Sequence, residues 1–309
     1  GRVLLLAPEW IAEATSVQID TPGGECTNGY GYQIWMAPRA GGFLFNGAFG
    51  QYMLALPDLD VVVAVASGTS RLFAQGNLMQ YVDDAFAACQ GGPLPEDAAA
   101  HAALNETLAR LSVQKRAPFF DANIAEAPLA ALASHLDGRV YTFDKNIAGL
   151  FPTNLMSVHN NFSPGLAHLV FRRRGDALSI TFDEGIAQNE LLFVQGAYAR
   201  ATVSMRGEQH EVAANLQCES LGAGEWRLHL NAHFLGTPFT RRVRLSIRGD
   251  ALTALFDESP TVQDASMMLL ELAGVTRIEI VRALLPMLQR EKLQSRLRTY
   301  TTVTTQGRL

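Results

Sequence analysis

The sequence predicts an α+β chain: a partial antiparallel sheet with packing helices, followed by an all-β barrel or sandwich. Three observations predict it. Up to residue 137, short strand runs alternate with apolar residues at helical spacing. From 139 to 256, β-rich runs follow one another with Gly, Asn and Asp between them, as in barrels and sandwiches. The stretch Gln90-Gly91-Gly92-Pro93-Leu94-Pro95 punctuates the chain between these regions.

Charge marks the same boundary. Residues 1–92 carry eight acids and three bases, and the remainder carries 22 of each, so the whole net charge of −5 lies in the first segment. The expected division is 1–92, a helical linker over 93–137, and a β-rich part over 138–309 that ends in helices. A length of 309 residues accommodates two domains, since domains usually run ~100–150 residues. With 48% hydrophobic and 18% charged residues, the composition is that of a globular chain. No basic face is indicated, which argues against nucleic acid. No apolar run reaches the ~18 residues of a membrane helix.

The elements follow in order. Pro8 suits the first turn of a helix that places Trp10, Ile11 and Ala14 on one face. Strands are expected at 30–36, 43–45, 51–56 and 61–66. The last is a continuous Val and Ala run, which suits a strand covered on both faces. Leu72, Leu78, Met79, Val82 and Phe86 form a helical face over 71–89. A second helix spans 97–111 with the stripe Leu104, Leu108 and Leu111. A third carries Leu129, Leu132 and Leu136, and Gly138 terminates it as a left-handed residue. Strands then follow at 139–143, 154–158, 167–171, 178–182, 191–194, 202–205, 212–217, 226–234, 240–247 and 252–256. After residue 263, two short helices are expected.

The β-rich part contains a repeat. Residues 174–184 read RGDALSITFDE and residues 248–258 read RGDALTALFDE. Gly-Asp between β runs favours a tight hairpin turn, which explains the two RGD triplets without an adhesion partner. Asp183-Glu184 and Asp257-Glu258 read as solvated turn carboxylates. An acid/base pair would need partners converging in a cleft.

Metal chemistry is not indicated. Cys26, Cys89 and Cys218 show no CxxC spacing, so neither a disulfide framework nor a zinc ribbon is expected. His229 and His233 would chelate on a helix, but their neighbours read as strand. Residues four apart on a strand lie ~13 Å from each other, too far to share one ion. No metal or other cofactor is expected.

The candidate site lies in FNGAFGQYMLALPDLDVVVAVASG, residues 45–68, preceded by NGYGYQIWMAP at 28–38 and by LLLAPEW. In order and spacing this series resembles the C-terminal end of the superfamily of class C beta-lactamases, DD-peptidases and related esterases. The resemblance covers roughly residues 1–90. It implies a Ser-x-x-Lys nucleophile and base, a Tyr or Ser that assists proton transfer, and a substrate-side strand bearing Lys-Thr-Gly or His-x-Gly. A hydroxyl nucleophile needs a base within hydrogen-bond reach, and its oxyanion needs positioned donors.

Only the third part matches, at Phe45-Asn46-Gly47. Gly50 and Gln51 correspond to positions that shape the hairpin. Turn geometry explains the glycines equally well. Phe45 stands where a cation is usual, which puts binding of a substrate carboxylate in doubt. The one Ser-x-x-Lys, Ser112 to Lys115, falls at the end of a helix instead of its start. No catalytic residue is therefore assigned to this chain.

GRVYTFDKN at 138–146 resembles the opening of the lipocalin-like β domain that such hydrolases carry after their catalytic domain. The start GRVLLLAPEW has no initiator Met and reads like the middle of a protein. The expectation is the C-terminal part of a bacterial beta-lactamase-like serine hydrolase. Its acyl-serine would lie upstream, and the chain alone would be inactive. The alternative is a ligand- or partner-binding β-barrel module without catalysis. The expected partners are the missing part of the catalytic domain, a small apolar ligand of the β domain, or a second copy of the chain. The compartment, cytoplasmic or exported, would follow from the upstream segment.

Overall fold

A computed structural model describes residues 5–21, 28–69, 78–86, 95–113, 125–143, 148–265 and 303–309. The chain divides into two compact units, Gly1–Gln114 and Lys115–Leu309.

The first unit contains helix α1 (Pro8–Ala14) and a four-stranded sheet ordered β1 (Trp35–Met36), β2 (Phe43–Gly47), β3 (Gln51–Leu56), β4 (Val61–Val65). Pro8 occupies the first turn of α1, as expected, and Ala14 is its buried residue. In antiparallel register Phe45 faces Met53, Met53 faces Ala64, and Ala55 faces Val62. Alternation puts Leu44, Leu54 and Leu56 on the opposite face, where they are buried with Val82 of α2 (Leu78–Phe86). Helix α3 (Ala98–Val113) also belongs to this unit, and the Asp97 carboxylate accepts a bond from the Ala100 N–H at its start.

Two expectations change here. β4 is covered on one face only: Val62 is 70% exposed. An unbroken Val run identifies a strand but cannot tell one buried face from two. Leu104 and Leu108 of α3 face solvent instead of forming a core stripe.

The second unit is a ten-stranded antiparallel sheet, a barrel and not a sandwich. Its strands are β5 (Val140–Thr142), β6 (His168–Arg174), β7 (Ala177–Asp183), β8 (Gln188–Phe193), β9 (Ala199–Met205), β10 (Glu208–Gly222), β11 (Glu225–Phe234), β12 (Thr240–Arg248), β13 (Ala251–Ser259) and β14 (Val303–Arg308). The order is β8-β7-β6-β5-β14-β13-β12-β11-β10-β9, and β8 and β9 come together at the seam. No ladder joins them. Instead the Asn189 amide imitates a peptide group: it donates to the Ser204 carbonyl at 3.0 Å and accepts from the Ser204 N–H at 2.7 Å.

Inward-facing side chains fill the barrel. Tyr141, Phe171, Phe182, Phe193, Phe234 and Phe256 are each at most 1% exposed. The two RGDAL repeats form the β6–β7 and β12–β13 hairpins. Gly175 and Gly249 have φ of +65° and +57° at the first central position, the pattern of a type II′ turn.

Two helices close the ends. α4 (Leu129–Leu136) sits where β6–β7, β10–β11 and β12–β13 turn, with Leu129, Leu132 and Leu136 buried in the barrel core. Gly138 follows at φ +81°, as its position predicts. The opposite end is covered by residues 148–160, including helix α5 (Thr153–His159). The sequence reads 154–158 as a strand. Pro152 at the N-cap, Leu155 and Met156 buried together, and left-handed Asn160 after the last turn make it a helix. β14 is a strand that the sequence reading omits. Of the two helices expected after 263, most residues lie outside those described. Among the described residues no helix is long and apolar enough to cross a membrane.

Candidate functional site

The first candidate is the β2–β3 hairpin. Gly47 pairs with Gln51 across a turn in which Phe49 and Gly50 take φ of +62° and +83°. A Cβ on Gly50 would lie 3.1 Å from the Ser67 hydroxyl oxygen and the Thr69 methyl. Gly50 therefore serves both turn geometry and a close approach. The Gln51 amide donates to the Ser67 carbonyl and ties the hairpin to the chain beyond β4.

Of the five sequence-predicted residues, Phe45, Gly47 and Gln51 share one face with Met53 and Val62. Asn46 points to the other face, where its side-chain oxygen is buried and has no hydrogen-bond partner among the described residues. The first face is apolar and open to solvent: Phe45, Met53 and Val62 are 45%, 51% and 70% exposed. Ser112 ends α3. The chain's three lysines, Lys115, Lys145 and Lys292, lie outside the described residues, so no Ser–Lys pair is placed.

The second candidate is the barrel rim beneath α5. Two glutamates there depart from the expectation of solvated turn carboxylates. Glu184 and Glu258 are 1% and 2% exposed. Alternation carries Leu178, Ile180 and Phe182 on to Glu184, and Leu252, Ala254 and Phe256 on to Glu258, all facing inward. Glu184 accepts from the Leu150 N–H and the Ser163 hydroxyl, both at 2.6 Å. Burial nevertheless pushes its carboxyl above the usual range. Glu258 accepts from the N–H groups of Thr153 at 2.6 Å and Asn154 at 3.2 Å, where the helix dipole of α5 favours a negative charge. Arg241 lies 3.3 Å from Glu258 and donates to the Phe151 carbonyl.

At the outer side of this cap, three groups converge. Arg206 and Gly207, both at positive φ, turn β9 into β10 as a type I′ hairpin. Glu208 and His210 then point the same way by alternation. His159, in the last turn of α5, meets them. Its Nδ1 lies 3.2 Å from Glu208 Oε2, and His210 Nε2 lies 3.8 Å from the same oxygen. Phe151 and Phe234, 5.5 Å apart, pack edge-on against the His210 ring, each with its centroid 5.9 Å away. Burial and His159 hold the His210 imidazolium below the usual histidine range, against the pull of Glu208. The sequence reading missed this group. Glu-x-His opening a strand was visible, but its partner is 49 residues upstream, just past a segment read as strand.

The other sequence candidates stay apart. His229 sits beside Glu219 at 3.6 Å, and His233 contacts the Thr240 hydroxyl at 2.9 Å, as expected of separate sheet histidines. Cys218 is a buried free thiol. A shallow cavity of about 20 Å³ lies at Glu126, Gly196–Tyr198 and Asn215–Gln217, room for about one water.

No family model matches the sequence, and no curated protein matches it. A solved structure described as a secretary abundant heat soluble (SAHS) protein from Ramazzottius varieornatus, from a dimer sample, aligns at 12% identity with a TM-score of 0.29. The alignment covers 40% of this chain and 87% of that one. At that score the likeness carries no argument, and the barrel rests on its own strand order.

Proposed function

We propose that the chain is a partner-binding β-barrel module without catalysis of its own, and that the partner docks on the bare face of β2–β4. One observation carries this: Phe45, Met53 and Val62 present an apolar surface on one face of the sheet, 45%, 51% and 70% exposed. Covering such a face removes apolar area from water, worth ~25 cal/mol per Å² before association costs. The barrel supports the module reading, since its core is filled and both ends carry helices. An apolar ligand in its lumen is less favoured, because it would displace phenylalanines that are already close-packed. A second copy of the chain is the partner that the purified protein itself supplies. Placing a photocrosslinking residue at Met53 should give a product of twice the chain mass, and at exposed Val158 of α5 none. Monomer alone from both positions would contradict the proposal.

A second reading is the C-terminal part of a beta-lactamase-like serine hydrolase. It is favoured by Phe45, Gly47 and Gln51 standing on that same face as a substrate-side wall, with the rest of the catalytic domain as the covering partner. The acyl-serine would then lie outside this chain. A fluorophosphonate probe should leave the chain unlabelled; a covalent adduct on Ser112 would overturn this assignment.

A further inference from the structure

We propose that His159, Glu208 and His210 bind a zinc-class divalent cation that staples the cap helix α5 to the barrel rim. The ligand atoms of the three residues all lie within 4.8 Å of one another. The two separations to Glu208 Oε2, 3.2 Å and 3.8 Å, bracket the ~3.3 Å edge of a tetrahedron built on metal bonds of ~2.0–2.1 Å. The third edge, between the two imidazoles, is within 4.8 Å, and rotation of the exposed His159 ring would close it to complete the face.

Two further observations point to a ligand. Among the described residues, the buried atoms Glu208 Oε2 and His210 Nε2 make no hydrogen bond of good geometry, and their polar neighbours are one another and His159. The His210 side chain is only 10% exposed, so its ring nitrogen is withheld from water and aimed at its neighbours. Buried polar atoms are ordinarily paired, and a cation would satisfy both at once.

The donor set selects the metal class. Two imidazole nitrogens and one carboxylate oxygen suit Zn²⁺ and its transition-metal neighbours, whereas Mg²⁺ and Ca²⁺ prefer all-oxygen shells. Phe151 and Phe234 fix the ring of His210 before any cation arrives. Asn161, just beyond α5, donates to the Met205 carbonyl at 3.1 Å and holds the helix end against the same hairpin. The ligands thus come from two elements already in contact, at low ordering cost. His159 and Glu208 are 37% and 41% exposed, which leaves the fourth position open to water.

The test uses the full chain, free of any affinity tag and stripped by a chelator, titrated with Zn²⁺ and separately with Co²⁺. The expected results are one cation per chain, visible absorption of a four-coordinate Co²⁺ complex, and a higher thermal midpoint with Zn²⁺. His159→Ala, at a solvent-facing position, should fold as the parent does, lose affinity by about tenfold or more, and show no gain in Tm. Glu208→Gln should do the same if His159→Ala misfolds, and His233→Ala should bind like the parent. Binding below one Zn²⁺ per chain would overturn the proposal. So would affinity unchanged in both His159→Ala and Glu208→Gln, or equal affinity for Mg²⁺.

Discussion

Arg241 and Glu258 lie 3.3 Å apart at the barrel rim, each side chain 3% exposed. The same carboxylate receives the first N–H groups of α5, and the same guanidinium donates to the Phe151 carbonyl. One buried pair thus anchors the start of α5. Removing one partner strands the other charge away from water. Glu258→Gln should therefore destabilise the chain by about 3–5 kcal/mol in urea unfolding. Adding Arg241→Met should recover much of that loss. Equal losses in single and double variants would mean that the pair is not coupled.

Gly149 precedes the backbone N–H that Glu184 accepts. A Cβ there would lie 2.7 Å from the Glu184 carboxyl carbon. Two hydrogen bonds hold that carboxylate, so it cannot swing aside freely. Gly149→Ala should cost about 1–3 kcal/mol. A stability unchanged within error would show that the carboxylate moves without loss.

Nine of the ten barrel strands were legible because Gly, Asn and Asp turns frame β-rich runs between residues 139 and 256. β14 was not, although Val303 and its threonines are β-branched, because the preceding tail reads as helix. Glu184 and Glu258 looked solvated because each follows an Asp at a strand end. Counting by twos from Phe182 and Phe256 would have turned both inward. The bare face of β4 was illegible for a different reason: local sequence encodes a strand, whereas its covering layer is a long-range fact. Ring positions such as His159 become partners of Glu208 only once the cap folds over the rim.

The Asn189 amide closes the seam between β8 and β9 by bonding both backbone groups of Ser204. Asn189→Leu removes both bonds and leaves the Ser204 N–H and carbonyl without these partners. The expected loss is about 1–3 kcal/mol in urea unfolding. Hydrogen exchange should speed up first at Ser204; unchanged exchange there would contradict the bridging role.

Histidine titration should weaken the barrel in acid. Burial and nearby Arg244 and Arg227 hold His229 below its usual range, opposed by Glu219. Burial and Arg139 do the same to His135. The unfolded chain then takes up protons near pH 6.5 that the folded chain refuses, so stability present above that pH is lost below it. Glu184 works in the opposite sense at lower pH, because its raised carboxyl favours the folded state as pH falls through its range. Urea unfolding from pH 7.5 to 5.5 should show a declining midpoint, and His229→Gln should flatten the slope. An identical slope in the variant would exclude His229.

Burial pushes the Cys218 thiol up to about 12, and its Sγ donates to the Ala127 carbonyl at 3.3 Å. The thiolate is the reactive form. In a Cys26→Ser/Cys89→Ser chain, a disulfide reagent at pH 8 should leave native protein unlabelled and label one thiol after denaturation. Rapid native labelling would mean that α4 opens readily.

The docking face of β2–β4 is tested most directly by light scattering across a wide concentration range, on the parent and on a Met53→Glu/Val62→Glu double variant. The parent should move from chain mass towards twice that mass as concentration rises, and the double variant should stay at chain mass with unchanged circular dichroism. A parent that remains at chain mass throughout, or a double variant that associates as the parent does, would contradict the proposed role.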